Sequence, residues 1–308
     1  MNTVFADTLH FSAQSGGPAR VTAGLLSALR DSGIRVATWG PSLPAPNRLK
    51  LAAGLARRIL LPAPAMPQDS LYIAGEIWPV ATKARKTAII IHDTFALVRP
   101  ESAKSLERGN QRRRIEWAAR FAGLVIVPSA EVRRSLAELA PGLKERIHVI
   151  PWGIGNEFLS HAPEPPDTES PYVVAAGDRT PRKATPELLA WHRSESGLPR
   201  LVTTGRFSPD ALVSLMARAS AFISFSHDEG YGLAIAEAAS LGIPVAARRF
   251  PGCEARFPGG VFWFDRADGA RTALDAALKA PRIKPAWVTA RTWAAAARQF
   301  IKAAWTAS

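Results

Sequence analysis

Short apolar runs alternate with longer amphipathic stretches along most of this chain. The first run, 4–6, reads as a strand, and the turn Ser15-Gly16-Gly17 leads into an apolar stripe of helical period over 18–32. Further strands are predicted at 34–39, 70–74, 88–91, 124–127 and 146–150. Ser129 is placed as N-cap of a helix that runs to Leu139. The segment 161–171 holds four prolines and little apolar content, which marks a break. The alternation then resumes with strands at 172–176, 201–204 and 221–225 and shorter ones at Val245 and at Val261-Phe262. Helices are expected with Thr185 as cap and Pro186 at the first turn, with Ser208 as cap and Pro209 next, from Gly232 to about Leu241, over 267–279, and over 285–307. Strands separated by helices predict parallel sheets. The fold class read from this pattern is α/β, with two Rossmann-like doubly wound domains facing a cleft.

The domain boundaries follow from the same pattern. Residues 1–155 are expected to form an N-terminal Rossmann-like domain, 156–171 a linker, 172–284 a C-terminal domain and 285–308 a C-terminal helix. A length of 308 residues suits two α/β domains. The composition, 47% apolar and 21% charged, is that of an ordinary globular protein. Cys253 is the single cysteine, so no intrachain disulfide can form, and a reducing compartment is expected. The first ten residues lack a basic start followed by an apolar core, so no signal peptide is expected. No apolar run reaches the roughly 20 residues of a membrane-spanning helix.

Charge changes the picture. A net charge of +13 points to an anionic partner. Much of it is clustered: 48–61 reads as a basic amphipathic helix containing Arg57 and Arg58, and Arg112-Arg113-Arg114-Ile-Glu-Trp117 is followed by Arg120 and Phe121. Such helices can lie on anionic lipid or be solvated faces.

The most informative segment is Ser226-His-Asp-Glu229-Gly230-Tyr231-Gly232-Leu233-Ala-Ile-Ala-Glu237. Two glycines free the backbone past a strand end. The helix that follows offers unpaired N–H groups and a partial positive charge, which suit a phosphate. Glu237 lies eight residues beyond Glu229 on an otherwise apolar face. A carboxylate there is costly unless donors such as sugar hydroxyls meet it. Other candidates also sit at strand ends: the Gly16-Gly17 turn, His92-Asp93 after the run at 88–91, and the basic segment Arg179-Thr-Pro-Arg182-Lys183 after 172–176. The glycine turn is neither a GxGxxG dinucleotide fingerprint nor a Walker A loop. No Asp-x-Asp and no zinc-ligand spacing occurs, so neither a metal nor any other cofactor is expected.

The stretch Glu229-Gly-Tyr-Gly-Leu-Ala-Ile-Ala-Glu237-Ala-Ala-Ser-Leu-Gly-Ile-Pro-Val-Ala246 closely resembles the donor-site motif of family 4 retaining glycosyltransferases of the GT-B fold. Pro128-Ser129 and Ile147-His-Val-Ile-Pro-Trp-Gly153 resemble the end of that family's first domain, more weakly. The resemblance implies transfer of a hexose from a UDP- or GDP-sugar, with retention at the anomeric carbon, to a glycan, lipid-linked or polysaccharide-precursor acceptor. It implies that Glu229, His92 and Asp93 are catalytic, with Glu229 on the donor-sugar hydroxyls and Asp93 orienting the His92 ring. It makes residues 1–155 the acceptor side and 172–284 the nucleotide-sugar donor side, takes the helix at 285–308 back to the first domain, and assigns donor binding to Gly16, Gly17, Arg179, Lys183, Gly230, Tyr231, Gly232, Leu233 and Glu237. Glu237 would hold the ribose, the amides of 230–233 the phosphate, and Arg179 and Lys183 the departing diphosphate, with Arg182 competing for either cationic role. Asp178 departs from the family's usual spacing. The partners expected are a nucleotide-sugar, the acceptor and an anionic membrane surface, with no nucleic acid, and the expected location is cytoplasmic, peripheral on the inner membrane face. Competing readings are a GT-B nucleotide-sugar epimerase or hydrolase, which would turn over without acceptor, and a basic nucleic-acid-binding protein. An inactive scaffold subunit and a phosphorylase fit less well.

Overall fold

The computed structural model describes residues 2–7, 16–39, 66, 70–75, 79, 84, 86–177, 181–204 and 209–305. The basic stretch expected at 48–61, the Ser15 turn residue, Arg179 and the Ser208 cap lie outside the described residues. The chain divides into two units, residues 1–153 with 293–308, and residues 154–292.

The first unit is built on β1 (Thr3–Asp7), β2 (Arg35–Trp39), β3 (Ser70–Ala74), β4 (Lys86–Ile90), β5 (Leu124–Val127) and β6 (Ile147–Val149). All pair in parallel, in the order β2-β1-β3-β4-β5-β6. Continuous burial along β3 and β5 is the mark of strands covered on both faces. Tyr72, Ile89, Ile91, Val125 and Val127 pack against Ile115 and Ala118 of α3 (Ser105–Phe121) and Val132 and Leu136 of α4 (Ala130–Leu139). Ser129 caps α4 as its sequence suggests, Oγ accepting from Val132 N at 3.3 Å. Between β4 and α3 comes one short helical turn, α2 (Phe95–Val98).

At the start of the unit, α1 (Gly16–Asp31) buries Val21, Leu25 and Leu29, one stripe at helical spacing. Helix α11 (Trp293–Trp305) belongs to the same unit and packs on α1. A Cβ at Gly24 would lie 2.3 Å from the Trp293 ring, so the indole fits only over a bare backbone.

The second unit opens with α5 (Asn156–Leu159), inside the segment read as a linker. Its strands are β7 (Tyr172–Ala176), β8 (Arg200–Thr204), β9 (Ala221–Ser224), β10 (Val245–Arg248) and β11 (Val261–Phe264), all parallel in the order β11-β10-β9-β7-β8. Its helices are α6 (Thr185–Ser194), α7 (Pro209–Ala217), α8 (Leu233–Ser240), α9 (Cys253–Arg256) and α10 (Ala270–Lys279). Val173, Ala175, Ile223, Phe225 and Phe264 form a core with Leu188 and Trp191 of α6 and Leu274 and Ala277 of α10.

Two local readings change. Thr185 is not the N-cap of α6; Ala184 occupies that position with φ +49°. The terminal helix is not continuous over 285–307: a 3-10 turn, Ala286–Ala290, comes first, and α11 starts only at Trp293. Ile154 breaks it, taking the Arg291 carbonyl at 2.8 Å and bridging to Thr292.

Strand order locates the binding edge of the second sheet. From β7 the chain moves outward to β8, then returns to β9 on the other side of β7. Ligands of open parallel sheets bind outside the carboxyl ends of strands at such a reversal. The loops leaving β7 and β9 are therefore the first place to look.

Candidate active site

The loop after β9 runs from Phe225 to Gly232, where α8 begins. Gly232 has φ +92°, and a Cβ there would lie 3.1 Å from the Phe257 ring. Conformation and space both demand glycine. No side chain caps α8, so the amides of its first turn have no side-chain acceptor.

Glu229 sits in this loop with its side chain only 10% exposed. Lys183 Nζ donates to Oε1 at 2.6 Å, and an Arg182 guanidinium nitrogen to Oε2 at 3.2 Å. Both cations come from the 3-10 turn Pro181–Lys183 after β7. A backbone bond from His227 N to Arg182 O, 2.9 Å, ties the two loops together. Burial alone pushes the Glu229 carboxyl up; Lys183 and Arg182 outweigh it and hold the carboxyl down to about 2. Glu229 is thus a carboxylate at any physiological pH, despite its near-complete burial.

The structure brings together Glu229, Lys183, Gly230, Gly232 and Leu233 around the β7–β9 reversal, with Arg182 as the second cation. Glu237 is 4% exposed, one turn into α8 among Ile235, Ala236, Ala238 and Ala239. Tyr231 is also buried, its ring edge-on to Phe257 at 6.3 Å and its hydroxyl enclosed.

In the first unit, Gly16 and Gly17 open α1. His92 follows β4, its ring centroid 5.6 Å from that of Trp152. The Asp93 carboxylate closes its own loop: its Oδ1 accepts from Phe95 N at 3.3 Å and from Gln111 Nε2 at 3.2 Å.

Sequence reasoning missed two buried arginines. Arg248 ends β10 and Arg256 ends α9; they are 5% and 6% exposed. Arg248 grips Glu187 with both terminal nitrogens and donates to Phe225 O at 3.2 Å. The guanidinium hydrogen-bonded to Glu187 holds that carboxyl below its usual range. Arg256 donates to Tyr231 O at 2.9 Å and Glu229 O at 3.3 Å. A signal was present: Arg248 ends the apolar run Ile243-Pro-Val-Ala-Ala, and Arg256 stands next to Phe257 near Cys253. Cations in such settings need partners.

Residues 157–279 match the family described as Glycosyl transferases group 1. No curated protein sequence matches the chain. Solved structures align over nearly its whole length. Sucrose-phosphate synthase from Thermosynechococcus elongatus is 15% identical, with a TM-score of 0.62 over 99% of this chain and 95% of that one. HepE from Anabaena, solved in complex with UDP and glucose, is 16% identical, with a TM-score of 0.58 over 98% and 94%. WaaG, a glycosyltransferase involved in lipopolysaccharide biosynthesis, is 15% identical, with a TM-score of 0.58 over 97% and 94%. The ion-paired Glu229 loop lies inside the segment that matches the family. Residues 157–279 are similar to group 1 glycosyl transferases, in a chain whose fold is that of solved GT-B glycosyltransferases, and glycosyl transfer is the chemistry this likeness supports.

Proposed function

We propose that the protein moves a hexose from a UDP- or GDP-linked donor to a glycan, lipid-linked or polysaccharide-precursor acceptor, with retention of anomeric configuration. The observation that carries this reading is Glu229 held against Lys183 and Arg182 beside the uncapped start of α8. First-turn amides suit a diphosphate. Glu237 serves the ribose hydroxyls and Glu229 the hydroxyls of the donor sugar. An arriving diphosphate competes with Glu229 for Lys183 and Arg182, which frees the carboxylate for the sugar as the cations take the phosphates. The same cations stabilise the negative charge of the departing diphosphate, so the reaction is proposed to need no metal. His92 is proposed as the catalytic residue of the first unit, with Asp93 shaping its loop. Gly16 and Gly17 let the backbone start of α1 approach ligand. HepE was solved with UDP and glucose, and the same ligand class is proposed here.

The acceptor side is proposed to work at an anionic membrane surface on the cytoplasmic face. Helix α3 exposes Arg112, Arg113 and Arg120, with Leu106 and Phe121 also at the surface. Among the described residues no helix is long and apolar enough to cross a membrane. Charge reversal at Arg112 and Arg113 is expected to release the protein from anionic vesicles.

A thermal-shift panel of nucleoside diphosphates and their sugars tests the donor. A ligand at 100 times its Kd adds about 2.7 kcal/mol of stability. One base and one sugar are expected to raise the Tm, and Glu229→Gln is expected to abolish the sugar-dependent part. Donor turnover that is indifferent to acceptor would favour the hydrolase reading. Salt-sensitive DNA binding with no nucleotide-dependent shift would overturn the proposal.

A further inference from the structure

The loop that carries Glu229 is gripped twice. Its side chain is held by Lys183 and Arg182, and its backbone by the two buried arginines that the donor chemistry leaves unused. Arg248 holds the carbonyl of Phe225, where the loop leaves β9. Arg256 holds the carbonyls of Glu229 and Tyr231, just before α8 begins. Both guanidiniums are fixed in turn. Arg248 is locked by the fork to Glu187 and lies 5.1 Å from the Phe225 ring centroid; Arg256 lies 5.4 Å from that of Phe250.

Burying a guanidinium is costly, and an apolar side chain of similar volume often serves stability as well or better. Two such residues, supplied by one short segment and aimed at the two ends of one loop, call for more than space filling. Arg256 donates to two main-chain carbonyls and Arg248, beside its Glu187 fork, to one, so they fix peptide planes and not merely side-chain positions. The peptide planes from Phe225 to Gly232 decide where the Glu229 carboxylate points and where the first amides of α8 point.

We infer that Arg248 and Arg256 form a two-point brace: positioning residues that set the backbone of the Phe225–Gly232 loop, and through it the aim of Glu229 and of the α8 amides. This rests on the donor-site reading above. The Arg256 guanidinium makes both bonds from one nitrogen while it lies over the Phe250 ring, a fixed placement that a flexible lysine stem lacks, so the conservative variant is expected to restore only part of the effect.

The test uses Arg256→Met, Arg256→Lys and Arg248→Met in the full chain. On folded protein, Arg256→Met is expected to weaken nucleotide-sugar affinity about tenfold, as loss of a charge-assisted hydrogen bond does. The free nucleoside diphosphate should lose less, because it does not use Glu229, and Arg256→Lys should recover part of the loss. A lower Tm with unchanged nucleotide-sugar affinity in both Met variants would reduce the arginines to structural filling and overturn the inference. A second readout needs no ligand. In a double-mutant cycle by urea unfolding, Arg256→Met and Lys183→Met are expected to be non-additive, because both act through the placement of Glu229. Additive effects would also overturn the brace. A wild-type chain that binds no nucleotide-sugar but shows the coupling would sink the donor-site reading and leave the brace standing. If Arg256→Met does not fold, Arg256→Lys carries both readouts.

Discussion

Two loops leave parallel strands at their carboxyl ends and lead into helices, and they are stabilised in opposite ways. In the first unit, 91–95 is closed by neutral or singly charged bonds. Asp93 caps the turn at Phe95, Gln111 reaches back to Asp93 O at 2.8 Å, and Thr94 meets Ser135 at 2.7 Å. In the second unit, 225–232 carries a nearly buried carboxylate against two cations, with two more arginines on its backbone. The first arrangement is a way to end a strand, each bond contributing about 1 kcal/mol. The second is an expensive way to do so, because every charge in it needs its partner in place. The difference teaches where the chain is built to handle charge. The proposed donor chemistry falls to the second loop, while the first carries His92 with a buried guanidinium nearby, that of Arg114 on the Ile90 carbonyl.

The comparison breaks most visibly at Lys183. Lys183→Met strips Glu229 of its nearest cation, and removal of one partner of a buried pair typically costs about 3–5 kcal/mol. Glu229→Gln should cost less stability but lower turnover by a factor on the order of 10² or more. The double variant should be more stable than Lys183→Met alone, by chemical denaturation. Asp93→Ala is the matching change in the first loop, with an expected loss of only about 1 kcal/mol. Equal costs at Lys183 and Asp93 would erase the contrast between the loops.

Acid sharpens the same contrast. The folded carboxyl of Glu229 is depressed to about 2 from an ordinary 4.5. The stability it contributes is therefore complete above 4.5 and is lost as pH falls from there through 2. At 1.36 kcal/mol per pH unit the contribution is about 3 kcal/mol. Wild type and Glu229→Gln, compared by urea unfolding between pH 6 and 3, should converge as the pH drops. Parallel curves would mean that Glu229 is not held as an ion.

How much of this was legible depends on how local its cause is. Apolar runs such as Ser70–Ala74, Leu124–Val127 and Tyr172–Ala176 are bounded by polar or turn residues, and they emerge as strands with those limits. The Ser129 cap spans three residues and reads directly. The Thr185 cap fails because the preceding turn is fixed from afar: His227 N takes the Arg182 carbonyl, and Ala184 is left in the left-handed region. The continuous final helix fails at Ile154 for the same kind of reason. The double-Glu segment is conspicuous because its chemistry is written within a dozen residues. The cations that meet Glu229 stand 46 and 47 residues away, and the bonds from Arg256 to the loop span 25 and 27. Periodicity carries no information about such pairings. The proximity of Arg182 and Lys183 to each other, both after β7, was the one local hint.

A smaller effect is expected at Gly232. Ala there must take a left-handed φ and meet Phe257, at a cost of about 1–3 kcal/mol. It should also weaken diphosphate binding, because the start of α8 shifts. Calorimetry of Gly232→Ala against Gly109→Ala, a substitution on α3 where a Cβ meets nothing within 4 Å, separates the two effects. Comparable diphosphate affinity in both would remove the amides of α8 from the site.

The least change is expected at Tyr231, and it decides whether this side chain touches ligand. Among the described residues its hydroxyl has no hydrogen-bond partner, and burial pushes the phenol up to about 12, with Arg291 and Arg256 opposing. A folded pKa above the ordinary 10 favours the neutral form. That preference contributes stability below pH 10, which disappears as pH rises through 12, so the loop should loosen in strong alkali. Near neutral pH the hydroxyl is desolvated without return, and Tyr231→Phe should leave stability unchanged or raise it by up to about 1 kcal/mol. Because Arg256 binds the Tyr231 carbonyl and not its ring, Phe keeps that bond. Donor affinity should then be equal in wild type and variant, which would place Tyr231 with Phe257 as packing beneath the loop. A tenfold loss of nucleotide-sugar affinity in Tyr231→Phe would instead make the hydroxyl a ligand contact, and would require the loop to open before the donor binds.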